Sequence, residues 1–329
     1  MPGTVSVSDA VELAVVERSG FVESRHAGIA VVLDPDGVVA AEHGNTAALV
    51  LPRSALKPLQ ALACVSAGAW LEGERLAVAT GSHSGTDRHV AVVRDILDSA
   101  RLTEQHLACP PAWPSDVASR DALVREHGEP ARLRMACSGK HAAMLLACTV
   151  NGWDVEGYLA PDHPLQVHIR ELVERLTGDR VAVTAVDGCG APAPAVSLGG
   201  LARAAHRIGT SSERSPFALH RNAAALVDAV RQNAWAIAGP GRPDTVVVER
   251  LGVFSKQGAE GVALMVAPNG ATVALKMLDG SSRATAVVAL RLLERAGALA
   301  AGDVAETLTH LRLSVTGGDG SVGSVRAVV

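Results

Sequence analysis

A serine three residues ahead of a lysine, in Arg53-Ser54-Ala55-Leu56-Lys57-Pro58-Leu59-Gln60, is the first combination in this chain that can do covalent chemistry. On a helix the spacing puts Ser54 and Lys57 on one face, a turn apart. A serine hydroxyl needs a neighbouring base to become a nucleophile near neutral pH. A lysine can be that base only where burial or a nearby positive charge lowers its pKa. The apolar run after Lys57 would supply the burial. S-x-x-K also arises by chance, as a capping serine followed by a solvated lysine, so the pattern needs support from elsewhere in the chain.

Four further clusters could give it. Ser82-His83-Ser84-Gly85 reads as a turn with an N-cap or as a catalytic or substrate-binding serine. Cys137-Ser138-Gly139-Lys140-His141 stands before an apolar helix, and Asp187-Gly188-Cys189-Gly190 makes a tight turn. Two cysteines in glycine-bearing turns, with His141 and Asp187 near them in sequence, could meet as a soft metal site of the thiolate and imidazole type that zinc favours. Their spacing matches no finger or ribbon. Cys64, Cys109 and Cys148 lie in apolar or proline-rich segments and read as small core residues. Lys256, in Phe254-Ser255-Lys256-Gln257-Gly258, is either a solvated loop lysine or a second cation close to Ser54. In the second case it would depress Lys57 or pair with a second serine.

The elements that must position these residues fall into three blocks. Ile29-Ala-Val-Val-Leu33, the turn Asp34-Pro35-Asp36-Gly37 and the return from Val38 predict an antiparallel hairpin, with a third extended piece ending at Pro52. A helix is expected from Ser54, then a strand over 76–80, the Ser82 turn, and a helix from about Thr86 to Ala100. Residues 109–115 form a rigid loop, and helices follow at 118–127, 140–151, 164–177, 198–208 and 217–233, with an extended run at 181–186. Gly261–Ala267 and Ala271–Lys276, joined by Pro268-Asn269-Gly270, predict a second hairpin, followed by a helix over 281–296. Strands at both ends bracket a helical middle. The expected class is α+β in a single domain 1–329, with one antiparallel sheet from about 20–52 and 245–277 and a helical lobe from about 86–235. An S-x-x-K helix where sheet meets helices is the arrangement of the serine β-lactamase and penicillin-binding-protein fold, an analogy that fixes no substrate.

Composition narrows the function. Only 2% of the 329 residues are aromatic against 48% hydrophobic, so the core must be closely packed Ala, Val and Leu. A net charge of -4, with scattered basic residues and no aromatic residues interleaved to stack bases, argues against a nucleic-acid partner. No segment reaches the length of a membrane span, and Glu12 and Glu17 fall where a signal peptide would be apolar. The expectation is a cytoplasmic protein. An odd number of cysteines, 5, fits a reducing compartment.

Taken in order, the motifs resemble the L-asparaginase family of rhizobial type (class 3). They are Val22-Glu23-Ser24-Arg25-His26, Arg53-Ser54-Ala-Leu-Lys57-Pro58-Leu-Gln60, Ser82-His83-Ser84-Gly85, Cys137-Ser138-Gly139-Lys140-His141, Asp187-Gly188-Cys189-Gly190, Ala238-Gly239 with Asp244-Thr245, Lys256-Gln-Gly-Ala-Glu260-Gly261, and Asp279-Gly280-Ser-Ser-Arg283. The resemblance implies a β-lactamase-like fold, a homodimer, and hydrolysis of L-asparagine to L-aspartate and ammonia. It implies two serine–lysine pairs, Ser54 with Lys57 and Ser82 with Lys256. It also implies a zinc ion held by Cys137, Lys140 and Cys189, with Arg53, His141 and Asp187 on the substrate. The alternatives are a β-lactamase or peptidase, which would carry S-D-N and K-T-G motifs absent here, a cysteine amidohydrolase using Cys137 or Cys189 with His141, and a non-enzymatic zinc–thiolate protein.

Overall fold

The computed structural model describes residues 3–329. The chain opens on two long strands, β1 (Val11–Arg18) and β2 (Phe21–Leu33), then β3 (Val39–His43) and the short β4 (Leu49–Val50). A 3-10 turn, Arg53–Leu56, runs directly into α1 (Lys57–Ser66). The helical lobe continues with α2 (Gly73–Thr80), α3 (Asp87–Ser99), α4 (Val117–Arg125), α5 (Ser138–Asn151) and α6 (Pro164–Thr177). Three short strands, β5 (Thr184–Val186), β6 (Pro192–Pro194) and β7 (Val196–Ser197), lead to α7 (Leu198–Gly209), α8 (Ala218–Gln232), α9 (Ala234–Ile237) and α10 (Pro243–Leu251). The chain returns to the sheet through β8 (Phe254–Gly258), β9 (Val262–Val266) and β10 (Thr272–Met277). It closes with α11 (Thr285–Arg295), α12 (Ala301–Thr309), β11 (Ser314–Gly317) and β12 (Gly320–Ala327).

Eight strands make one antiparallel sheet in the order β11-β12-β1-β2-β10-β9-β8, with β3 also paired to β2. Both ends of the chain feed it, and the helical lobe is inserted between them, as the α+β reading expected. The sheet is buried on both faces. Ile29, Val31 and Leu33 face the helical-lobe core, while Ala30 and Val32 face the core under α11. That is why the Ile29–Leu33 run shows no polar alternation. The second hairpin turns at Gly270, whose φ of 97° needs a residue without a Cβ.

Several boundaries differ from expectation. Residues 76–80 are helix α2, not a strand. Leu76, Ala77, Val78, Ala79 and Thr80 are all buried, so the segment is apolar all round and carries no period to separate helix from strand. Residues 245–251 belong to α10, which Pro243 opens and Gly252, at φ 63°, closes; the sheet resumes only at Phe254. The piece at 49–50 pairs with β7 outside the main sheet. The sheet extends to β1 and to the β11–β12 hairpin, beyond the expected 20–52 and 245–277.

Two glycines set how closely the site's elements approach. A Cβ on Gly258 would lie 2.2 Å from the Pro52 carbonyl oxygen, so β8 can lie against the 3-10 turn. A Cβ on Gly139 would lie 2.6 Å from the Val78 carbonyl oxygen, so α5 packs directly on α2.

Candidate active site

The S-x-x-K segment crosses from the 3-10 turn into α1, with Ser54 half-buried on the turn and Lys57 fully buried as the first residue of the helix. Pro58 follows at the start of α1, where its missing N–H costs nothing. Arg53, just before the serine, has a φ of 50°, a strained conformation for a side chain of its size. Its guanidinium is held by Asp187, Nε to Oδ1 2.6 Å.

The Lys57 ammonium reaches three oxygens: the Gly81 carbonyl at 2.6 Å, the Ser82 hydroxyl at 2.9 Å and the Ala136 carbonyl at 3.1 Å. Its serine partner is therefore Ser82. Burial pushes its pKa down; Cys137 opposes that shift and Lys140 adds to it. Ser82 sits in the turn between α2 and α3, tied by its N–H to the Ile237 carbonyl at 2.7 Å.

Lys256 lies buried on β8, but its partner is not Ser82. Its ammonium donates to the Gln257 carbonyl at 2.6 Å and lies 3.7 Å from Asp244 Oδ2. Burial lowers its pKa to about 8, with Asp244 working against the shift and Lys57 reinforcing it. Asp244 also accepts from the Ser255 hydroxyl at 2.7 Å and the Gln257 N–H at 3.0 Å. The second hydroxyl in the turn, that of Ser84, is buried without a partner.

The thiol cluster forms the adjoining wall. Cys137 caps the N-terminus of α5, and Lys140 donates to Cys189 Sγ at 3.1 Å. Cys189 lies 3.6 Å from Asp187 Oδ2, which links the thiols through Asp187 to Arg53 and the Ser54 turn. Hydrogen bonding with Cys189 holds the Cys137 thiol well below its usual range; burial opposes this and the Lys57 and Lys140 charges assist it. The same bond pushes Cys189 up. For Lys140 burial acts to lower the pKa, but the two sulfurs outweigh it and the net shift is upward. His141 is buried, its Nδ1 2.6 Å from the Tyr158 hydroxyl. Among the described residues no three His, Cys, Asp or Glu side chains gather as a metal site, so any such site depends on Lys140. Cys64, Cys109 and Cys148 are buried and unpaired, and burial pushes Cys109 to about 11 and Cys148 to about 12.

The structure thus gathers two groups, Lys57 with Ser82 and Arg53–Asp187–Cys189–Lys140 beside Cys137, each joined to the Ser54 turn by one residue, Lys57 or Arg53. The profile of one protein family, described as L-asparaginase II, matches residues 14–327. The chain belongs to the L-asparaginase II family. It is accordingly an amidohydrolase of the L-asparaginase type, acting on an asparagine-type small molecule. No curated protein sequence matches it. Among solved structures, a β-lactamase from Mycobacterium bovis is similar over 83% of this chain and 95% of that one, at 16% identity and a TM-score of 0.43. Mglu in its native form is similar over 81% of this chain and 63% of that one, at 13% identity and 0.45. A Bacillus glutaminase is similar over 82% and 91%, at 13% and 0.44. Likenesses this distant say nothing about substrate.

Three residues in contact with these groups had no role assigned from the sequence. Asp244 stood in a quoted motif without a role, and its signal was the nearby Lys256, which needs a buried counter-charge. Tyr158 left no motif. His83, which bonds Ser138 Oγ at 2.8 Å, was visible only as part of the Ser82 turn.

Proposed function

We propose that this asparaginase hydrolyses L-asparagine to L-aspartate and ammonia by acyl transfer through Ser54, with Lys57 as the base. The observation that carries serine–lysine acyl transfer is the Lys57 amine, fully buried and 2.9 Å from the Ser82 hydroxyl. As a neutral amine, Lys57 has two N–H donors for the Gly81 and Ala136 carbonyls and one lone pair left for the Ser82 O–H. Ser54 attacks the side-chain amide carbon, and its proton passes to Lys57 directly or by way of Ser82. The tetrahedral intermediate collapses, ammonia leaves with a proton returned from the lysine, and water hydrolyses the ester to aspartate. Ser54 suits the nucleophile because it is half-exposed and follows the strained Arg53, which Asp187 fixes. Lys256 and Asp244 add a charge pair that tunes Lys57. The contact with Ser82 favours a second reading, in which Ser82 itself attacks.

Ser54→Ala and Ser82→Ala separate the two. On the first reading Ser54→Ala abolishes ammonia release while Ser82→Ala slows it; the reverse order assigns the attack to Ser82.

Cys137, Cys189 and Lys140 would hold zinc. Two buried thiols, one of them held toward thiolate, and an amine 3.1 Å from a sulfur suit a soft cation, once the lysine proton is lost. Bound there, zinc would supply positive charge that orients the substrate's carboxylate or amine. Metal analysis of purified protein tests this: about one zinc per chain is expected, falling in Cys137→Ala. We also propose a homodimer, tested by light scattering, and a cytoplasmic location, which the five unpaired thiols suit. Among the described residues no helix is long and apolar enough to cross a membrane.

A further inference from the structure

A cavity of about 500 Å³ adjoins the groups described so far without including them. Its walls are the start of α4 (Ser115–Ala118), the loop into α10 (Pro240–Pro243) and Leu311–Arg312 ahead of β11, with Gln257 of β8 between them. Two contacts join it to the site. The Asp116 N–H donates to the Ser84 carbonyl at 3.1 Å, in the Ser82 turn. Gln257 stands between Lys256 and Gly258, the glycine that lies against the Ser54 turn.

The charges in the cavity favour an anion. Arg242 spends one amino group on the Ser115 carbonyl and hydroxyl, at 2.6 and 3.1 Å, and keeps its other N–H groups. Arg312 is exposed at the rim, with no ion pair or hydrogen bond among the described residues. The one carboxylate in the lining, that of Asp116, accepts from the Ser119 N–H at 2.8 Å as the cap of α4. Gln257 Nε2 is buried with no protein partner. Val117, Pro240 and Leu311 supply apolar wall between these groups. Two guanidinium groups beside apolar walls suit a carboxylate carried on a small apolar body.

We propose that this cavity is a subsite for such a carboxylate, held by Arg242 and Arg312. Its place suggests one source, resting on the acyl-transfer reading above. There the α-carboxylate and amine of asparagine go to the thiol cluster, and the leaving nitrogen faces Lys57 and Ser82, which return its proton. A cavity against the Ser82 turn is then on the leaving-group side, where ammonia needs none of its volume. A β-aspartyl dipeptide would use it. Ser54 attacks the β-carbonyl carbon, the C–N bond breaks, and Lys57 returns the proton to the departing amine. Water cleaves the ester to aspartate, and the released amino acid is the one whose carboxylate meets the arginines. A free carboxylic acid of the same shape is the other source.

Calorimetry on the full-length protein tests the subsite, with isocaproate as the probe and isocaproamide as the uncharged control. The acid should bind and the amide should not. Arg312→Gln, checked for wild-type circular dichroism, should weaken the acid about fivefold, and added salt should weaken it too. No binding of the acid, equal binding of acid and amide, or an affinity that neither Arg312→Gln nor Arg242→Gln changes overturns the subsite. β-Aspartyl-leucine then separates the sources. Leucine release with a KM that Arg312→Gln raises about fivefold more than the KM for asparagine assigns the carboxylate to a leaving group. Leucine release indifferent to both arginine variants counts against the subsite, whereas no release from a protein that binds isocaproate assigns the site to a free acid. Failure of the acyl-transfer reading shows differently, as absence of ammonia release from asparagine by the wild type, and leaves the calorimetry standing.

Discussion

Catalysis in this account depends on lysines kept out of water. Lys57 and Lys256 are each fully buried, and burial is the largest cause of both downward shifts. Removing a general base of this kind typically costs about 10²–10⁴ in rate. Lys57→Met should lower kcat by that much while leaving thermal stability near wild type, since methionine fills nearly the same buried volume. Lys256 titrates near 8, among Asp244, Lys57 and Cys137. Below that pH it is an ammonium facing Asp244; above it the charge is gone and Asp244 is left without a counter-ion. kcat/KM should therefore carry a falling limb centred near pH 8 that Lys256→Met removes. An unchanged profile in that variant would discard the role given to Lys256. The identities of Ser54, Lys57, Cys137, Lys140 and Cys189 were legible because motifs preserve residue type. Which serine meets which lysine was not, because that depends on side chains arriving from elements 25 residues and more apart.

At the scale of elements, the site depends on joints between segments that have little regular structure of their own. The His83 imidazole donates to Ser138 Oγ at 2.8 Å, and the Ser138 hydroxyl donates to the Leu133 carbonyl at 2.8 Å, which ties the Ser82 turn to the start of α5. His83 stacks on His89 at 5.0 Å, and His89 lies 4.9 Å from the Trp235 ring. Burial keeps both histidines neutral, His89 with a pKa of about 4 despite nearby Asp116 and with Arg88 adding to the shift. A histidine whose folded pKa lies below its unfolded value of about 6.5 stabilises the fold fully only above 6.5. Stability should therefore fall as pH drops from 6.5 toward 4, and His89→Gln should flatten that slope in denaturant titrations. Gly139→Ala, which would press a methyl against the Val78 backbone, should cost about 1–3 kcal/mol, as overpacking commonly does. A wild-type midpoint for Gly139→Ala would refute the close α2–α5 approach. Amphipathic helices such as α6 and α8 were readable to within a residue or two. The uniformly buried α2 was not, because it offers no polar face to set a period.

The whole molecule is a sheet completed by both ends of the chain, with the helical lobe and the Ser54 turn inserted between β4 and β8. β12 pairs with β1 over five registered residue pairs from Ala14↔Ala327 to Arg18↔Gly323. Its sequence, Gly-Ser-Val-Gly-Ser-Val-Arg-Ala, is glycine- and serine-rich with a single buried residue, so it gave no strand signal of its own and takes its conformation from its neighbours. Deleting 310–329 should bare the β1 edge and produce a less soluble, aggregating protein, seen as early elution in size exclusion. Which oxygen attacks the amide can be read by covalent labelling. An asparagine analogue with a diazoketone in place of the side-chain amide alkylates the attacking group with loss of nitrogen, and peptide mass mapping locates the adduct. A single adduct is expected on Ser54, one that asparagine protects against and that Lys57→Met all but prevents. An adduct on Cys137 or Cys189 in the wild type would contradict it.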